Sequence, residues 1–153
     1  MMARTIRTAA ILVVLCAIAV GRPSWQYIDP SPRSLATMVI DVPHQRAVLF
    51  GGGSYGENYN DVWALCLDTT GGYGWKSVST NGPTPTARTG HAAIFDPIHN
   101  WMVIFGGRSG DTALTDAWAL DLGTAKWQQL APSGTPPSLN MYRAMQLTQV
   151  GVF

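Results

Sequence analysis

Two pairs of residues have spacing that suggests chemistry. Asp41 and His44 stand three residues apart, as do Asp96 and His99. A carboxylate and an imidazole at that spacing can share a proton or supply two ligands to a metal ion. Two ligands make an incomplete site, because zinc takes at least three from the protein. Each pair also carries a turn signature, Asp-Val-Pro-His and Asp-Pro-Ile-His. Asp at the first position and Pro within favour a chain reversal, so turn chemistry explains both pairs without a metal. Arg88 and His91, with Arg33 as a second copy of the arginine, form another group. Tyr55, Tyr59 and Arg108 lie in polar loops. Tyr and Arg tend to dominate binding hot spots, which makes them candidate contact residues.

Other chemistry is missing its motif. Gly51-Gly52-Gly53 follows an apolar run but precedes no helix, so it is not a phosphate cradle. There is no nucleophile elbow, zincin motif or dinucleotide fingerprint. The residues point to no cofactor and no metal. Formal charge is +1. Setting aside Arg4 and Arg7 leaves eight cations against nine acids, with no basic stripe for nucleic acid.

The elements that position these residues come from a repeat. Val48-Leu49-Phe50-Gly51-Gly52 and Asp61-Val62-Trp63-Ala64-Leu65 return 55 residues later. The copies are Val103-Ile104-Phe105-Gly106-Gly107 and Asp116-Ala117-Trp118-Ala119-Leu120. Residues 34–41 likewise match 89–96, each preceded by an arginine. The reading of one unit is a first strand (34–41 or 89–96), a tight turn and a second strand (46–50 or 101–105). A polar loop follows (53–60 or 108–115), then a third strand (62–67 or 117–122) and a Trp-bearing fourth (75–78 or 127–130). Sixteen Gly, ten Pro and six Trp in 153 residues suit short strands and many turns. No helical stripe extends over a dozen residues after residue 22. The predicted fold is all-β, built of four-stranded antiparallel sheets. One such sheet cannot bury its apolar faces alone and must stack on others.

The Gly-Gly after an apolar strand, the Trp in a D-x-W context about eleven residues on, and the second Trp before a Pro-rich loop resemble the kelch repeat. The resemblance spans about residues 25–147. It implies β-propeller blades at 33–78 and 88–130, with Gly51, Gly52, Trp63, Gly106, Gly107 and Trp118 as the structural motif. Trp63 and Trp118 would then lie in the core between blades, and Trp25, Trp75 and Trp127 would pack on the outer strands. The first strands, with Arg33, Arg88 and His91, would line the central channel, where they could hold an anion or a carbohydrate acid, or make structural hydrogen bonds between blades. Two positions depart from the repeat: Ala36 stands where the second copy has His91, and Cys66 where it has Asp121. Residues 25–28 read as an orphan fourth strand and 141–147 as an orphan first strand. Closed propellers have about four to eight blades, so the propeller is incomplete. Missing blades or self-association would close the ring.

The first 19 residues read as a signal peptide: cationic residues, an apolar run over 9–20, and Ala17-Ile18-Ala19 before the cut. A retained anchor is the rival reading, although the run falls short of the roughly 20 residues that cross a bilayer. Cys16 would leave with the leader. Cys66 would then be the only thiol, as a small buried hydrophobe or as a reactive or intermolecular cysteine. The expected location is secreted, periplasmic or cell-envelope, with no membrane span in the mature chain. In an up-and-down sheet, the loops after strands two and four emerge on one side. Loops on a rigid scaffold concentrate binding residues. The expected function is a protein- or glycan-binding module using that face. The resemblance also admits a fragment of a propeller enzyme, a galactose oxidase-like copper oxidase or a sialic acid epimerase, with catalytic residues outside this chain. A purely architectural fragment is the third reading.

Overall fold

The computed structural model describes residues 30–66 and 74–131. Residues 1–19, 25–28 and 141–147, assigned above to a leader and two orphan strands, lie outside them. Two four-stranded antiparallel sheets dominate. In the first, β1 (Thr37–Asp41), β2 (Arg46–Phe50), β5 (Val62–Cys66) and β6 (Gly74–Val78) lie side by side in chain order. The second repeats this with β7 (Ala92–Asp96), β8 (Trp101–Phe105), β11 (Ala117–Asp121) and β12 (Lys126–Leu130). The bounds of β2 and β8 match the sequence reading. The first strands start three residues later than the pattern suggested.

The polar loops carry structure of their own. β3 (Gly53–Ser54) pairs with β4 (Glu57–Asn58), and β9 (Arg108–Ser109) pairs with β10 (Thr112–Ala113). Each is a short hairpin standing on one end of its sheet. The residues before β1 and β7 brace these hairpins: Ser34 pairs with Gly53, and Thr89 with Arg108.

Side chains alternate across a strand, so each sheet has two faces. In the first blade the front face carries Met38, Ile40, Leu49, Trp63, Leu65 and Trp75. Its rear face carries Thr37, Val39, Val48, Phe50, Val62 and Val78. The registers that align them are Met38–Leu49–Trp63 and Val39–Val48–Ala64. The front face of the second blade, including Met102, Ile104, Trp118, Leu120 and Trp127, packs on the rear face of the first to form the core. Phe50 and Trp127 meet edge to face across the junction, with ring centroids 5.0 Å apart.

Trp127 stands on an outer strand, as the sequence reading had it, and its surroundings add to that reading. It is fully buried between the blades. Its ring packs on Phe50 of the first blade, and the segment after β6 adds a second tie. That segment crosses to the outer edge of β12, where Asn81 N–H donates to Ala125 O (2.8 Å) and Trp127 N–H donates to Asn81 O (3.1 Å). The first blade thereby wraps the outer strand of the second.

Candidate functional site

The hairpin end of the two sheets collects most of the candidate residues. Beneath each hairpin is the same clasp. Arg33 donates through Nη1 to Gly51 O (3.0 Å) and through both terminal nitrogens to the Asp61 carboxylate. Arg88 does the same to Gly106 O (2.9 Å) and Asp116 (2.7 and 2.9 Å). The indoles of Trp63 and Trp118 complete the clasps by donating to Asp61 (2.6 Å) and Asp116 (2.7 Å). Burial raises the affinity of both carboxyls for a proton. The hydrogen bonds from Arg and Trp, with the arginine charge, outweigh it and hold both below the usual carboxylate range. Bidentate Arg–carboxylate geometry gives directional strength as well as charge. Each clasp ties the end of the second strand to the start of the third, within one blade.

This corrects the idea that the arginine side chains bond between blades. The contact between blades comes from the backbone of Arg88. Its N–H donates to Tyr59 O (3.0 Å), and its C=O accepts from Gly52 N–H (2.9 Å). Its guanidinium is fully buried and occupied. Arg33 also lies over the ring of Tyr59, 4.3 Å from the centroid. Tyr59 is thus half-buried between the first clasp and the second blade.

His91 is buried too. Its Nε2 lies 2.6 Å from Thr37 Oγ1 of the first blade, and its ring meets Phe50 edge to face at 5.3 Å. Nδ1 has no partner. Burial, and then the nearby Arg88 charge, push its pKa from the ordinary 6.5 down to about 4. The ring is therefore neutral at pH 7.

The glycines sit where a side chain would not fit. Gly51 has φ +64°, and an added Cβ would come within 2.8 Å of Arg88 O across the junction. Gly52 has φ +87°, and its Cβ would lie 2.8 Å from the Ala36 Cβ. Both needs are met only without a side chain.

Tyr55 and Arg108 are the candidates at the surface. Arg108 bonds Asp111 in its own hairpin, at 3.3 Å to the carbonyl and 3.5 Å to the carboxylate. Tyr55 is fully exposed, at 104% relative accessibility. It occupies the first corner of the β3–β4 turn at φ +50°, followed by Gly56 at +88°. Two successive positive φ angles make this a type I′ turn, which favours Asn or Gly. Such a backbone costs a bulky L-residue roughly 1–2 kcal/mol. The counterpart in the second hairpin is Gly110, at φ +57°.

The opposite end of the sheets holds the Asp–His pairs. His44 Nδ1 donates to both oxygens of Asp41 (2.8 and 2.9 Å), and Arg46 Nε donates to the same carboxylate (2.7 Å). Arg46 also reaches Leu122 O of the second blade. Asp96 accepts from His99 Nδ1 (2.6 Å) and from the Ile98 N–H (2.8 Å), and His99 stacks on Trp101. Each carboxylate ties its own turn. Among the described residues, no group of three or more His, Cys, Asp or Glu side chains is placed to hold a metal ion. Nor is any helix there long and apolar enough to cross a membrane.

The clasps and the Gly-Gly bends recur in both sheets with the same partners, so the repeat is structural as well as textual. The family model described as the KLHDC2/KLHL20/DRC7 Kelch-repeats domain matches residues 17–152. The chain belongs to the kelch-repeat family. Among its relatives, Kelch domain-containing protein 10 of Xenopus tropicalis is 33% identical over 111 residues, covering 71% of this chain and 26% of that protein. Acyl-CoA-binding domain-containing protein 5 of Arabidopsis thaliana is 35% identical over 108 residues, covering 70% and 16%. Rab9 effector protein with kelch motifs of Danio rerio is 36% identical over 95 residues, covering 59% and 27%. This kelch chain therefore spans about a quarter or less of the curated relatives it matches.

The Arg–Asp–Trp clasp was missed from sequence, although its signal was there. Arg33, Asp61 and Trp63 each recur 55 residues later. Where most of a chain is uncharged, an Arg and an Asp repeating in step are natural partners.

Proposed function

We propose that this kelch chain is a protein-interaction module whose contact surface is the hairpin end of its blades, with Tyr55 as the anchor. The observation that carries this reading is the backbone of Tyr55. A fully exposed aromatic residue holds a left-handed conformation where the companion hairpin uses glycine. Exposed tyrosine there adds nothing to the core and works against the turn. A cost of that kind at a loop tip is a pointer to function. The rigid clasp below supplies a fixed platform, and tyrosine offers a large contact area with few rotatable bonds.

The test is site-specific photo-crosslinking in cells that make the protein. A crosslinker at position 55 captures a discrete protein partner. One at position 98, also exposed but in a turn at the other end of the sheets, does not. Tyr55→Gly, which suits the turn, weakens partner binding by tenfold or more without lowering the melting temperature. Equal capture at both positions would count against the reading. Retention on immobilised glycans that is lost in Tyr55→Gly would move the assignment to carbohydrate, which the same exposed ring can stack upon. The sequence of residues 1–19 supports export as part of this proposal. Protein recovered outside the cytoplasm should begin at Val20.

A further inference from the structure

No described residue packs on the front face of the first blade. Met38 and Ile40 are 53% and 50% exposed, and Leu49, Trp63, Leu65 and Trp75 are only partly covered. On the far side of the molecule, the rear face of the second blade presents Ile94, Val103 and Phe105, also partly covered. These two surfaces are the repeat counterparts of the two that meet inside the molecule. We propose that they bind each other between copies, so that the rear face of one chain's second blade docks on the front face of another chain's first blade.

The internal junction supplies the template, and the open faces match it feature by feature. The edge-to-face pair of Trp127 and Phe50 has its counterpart in Trp75 and Phe105. Val39 and Val48, buried at the internal junction, correspond to Ile94 and Val103. The polar pair is the more telling comparison. Inside the molecule His91 of one blade meets Thr37 of the other. Their counterparts on the open faces are Ala36 and Ala92. If the first blade's front face met a rear face like its own, a threonine hydroxyl would face Ala36 with no partner there. If the second blade's rear face met a front face like its own, a histidine would face Ala92 in the same way. Both members have been exchanged together for alanine, so the two open faces fit each other without stranding a polar group. The contact joins different patches on the two copies and is therefore heterologous. It places the two hairpin ends of neighbouring chains on one continuous surface.

The experiment is sedimentation equilibrium of the full chain and two double variants. Met38→Asp with Ile40→Asp disables the front face. Ile94→Asp with Val103→Asp disables the rear face. The wild-type protein associates in a concentration-dependent way. Each variant alone weakens association by at least about 100-fold and sediments as a monomer. Mixed in equal amounts, the two variants form a 1:1 heterodimer, since each keeps the face the other needs. Circular dichroism like that of the wild type shows that the variants are folded. A wild-type protein that stays monomeric up to about 100 μM would overturn the proposal, at a weak but specific affinity. So would association that neither double variant relieves, or folded variants that do not pair when mixed. If residues of the chain outside 30–66 and 74–131 cover either face, the wild type is monomeric and the proposal fails.

Discussion

Trp75 and Trp127 occupy the same place in two successive sheets, each opposite a leucine on the third strand. Their surroundings differ completely. Trp127 is fully buried against Phe50, whereas Trp75 is half-exposed. The same contrast holds for Leu120 against Leu65 and for Trp118 against Trp63. Both blades therefore carry apolar residues on both faces, including the face of the first that no described residue covers. The stability of a blade is a property of junctions between blades as much as of the blade itself.

That contrast can be tested by mutating counterpart residues. Trp127→Ala should cost about 3–5 kcal/mol as a core truncation, and Trp75→Ala roughly 1 kcal/mol, both read from the midpoint of urea unfolding. Equal costs would mean that the two faces are equally buried. Asp116→Ala strands the fully buried Arg88 and should cost about 3 kcal/mol. Asp61→Ala should cost less, about 1–2 kcal/mol, because that carboxylate is more open to water and can be replaced by it.

Acid should separate the blades in a defined window. The folded pKa of His91, about 4, lies below its unfolded value of 6.5. The unfolded chain takes up the proton first, so stability is full above pH 6.5 and falls as pH drops toward 4. The loss is on the order of 3 kcal/mol. Asp61 and Asp116, also held low, add their own loss only below about pH 4. His91→Asn should flatten the curve between pH 6.5 and 4 and leave the steeper fall below it. The smallest contrast is between Gly51 and Gly106. Gly51→Ala drives a methyl into Arg88 O, whereas Gly106→Ala finds its nearest atom at 3.3 Å. Both carry the strain of a positive φ, so Gly51→Ala should melt lower by an amount corresponding to about 1 kcal/mol.

Much of the architecture was legible because a 55-residue period repeats text as well as structure. The second strands could be bounded to the residue, since an apolar run ending in Gly-Gly has clear limits. The hairpins β3–β4 and β9–β10 were read as loops. Their strands are two residues long and polar, and Ser-Tyr-Gly-Glu lacks the Asn-Gly that signals a type I′ turn. Trp127 was read on its outer strand, but its burial was not legible because it depends on Phe50, a contact from the neighbouring blade. The arginines were recognised as structural candidates, but their partners were not. Whether a guanidinium bonds within or between sheets depends on where Asp61 and Asp116 lie in space. The exposure and backbone strain of Tyr55 belong to the folded turn, and residue type alone gave no reason to rank it above Tyr59.

The central claim is that the second blade docks its front face on the first blade's rear face through Phe50 and Trp127. A double-mutant cycle tests it most directly, with Phe50→Leu, Trp127→Leu and the double variant unfolded in urea. The account predicts a coupling energy of about 1 kcal/mol between the two positions. Strictly additive costs would show that the rings do not meet and would contradict it.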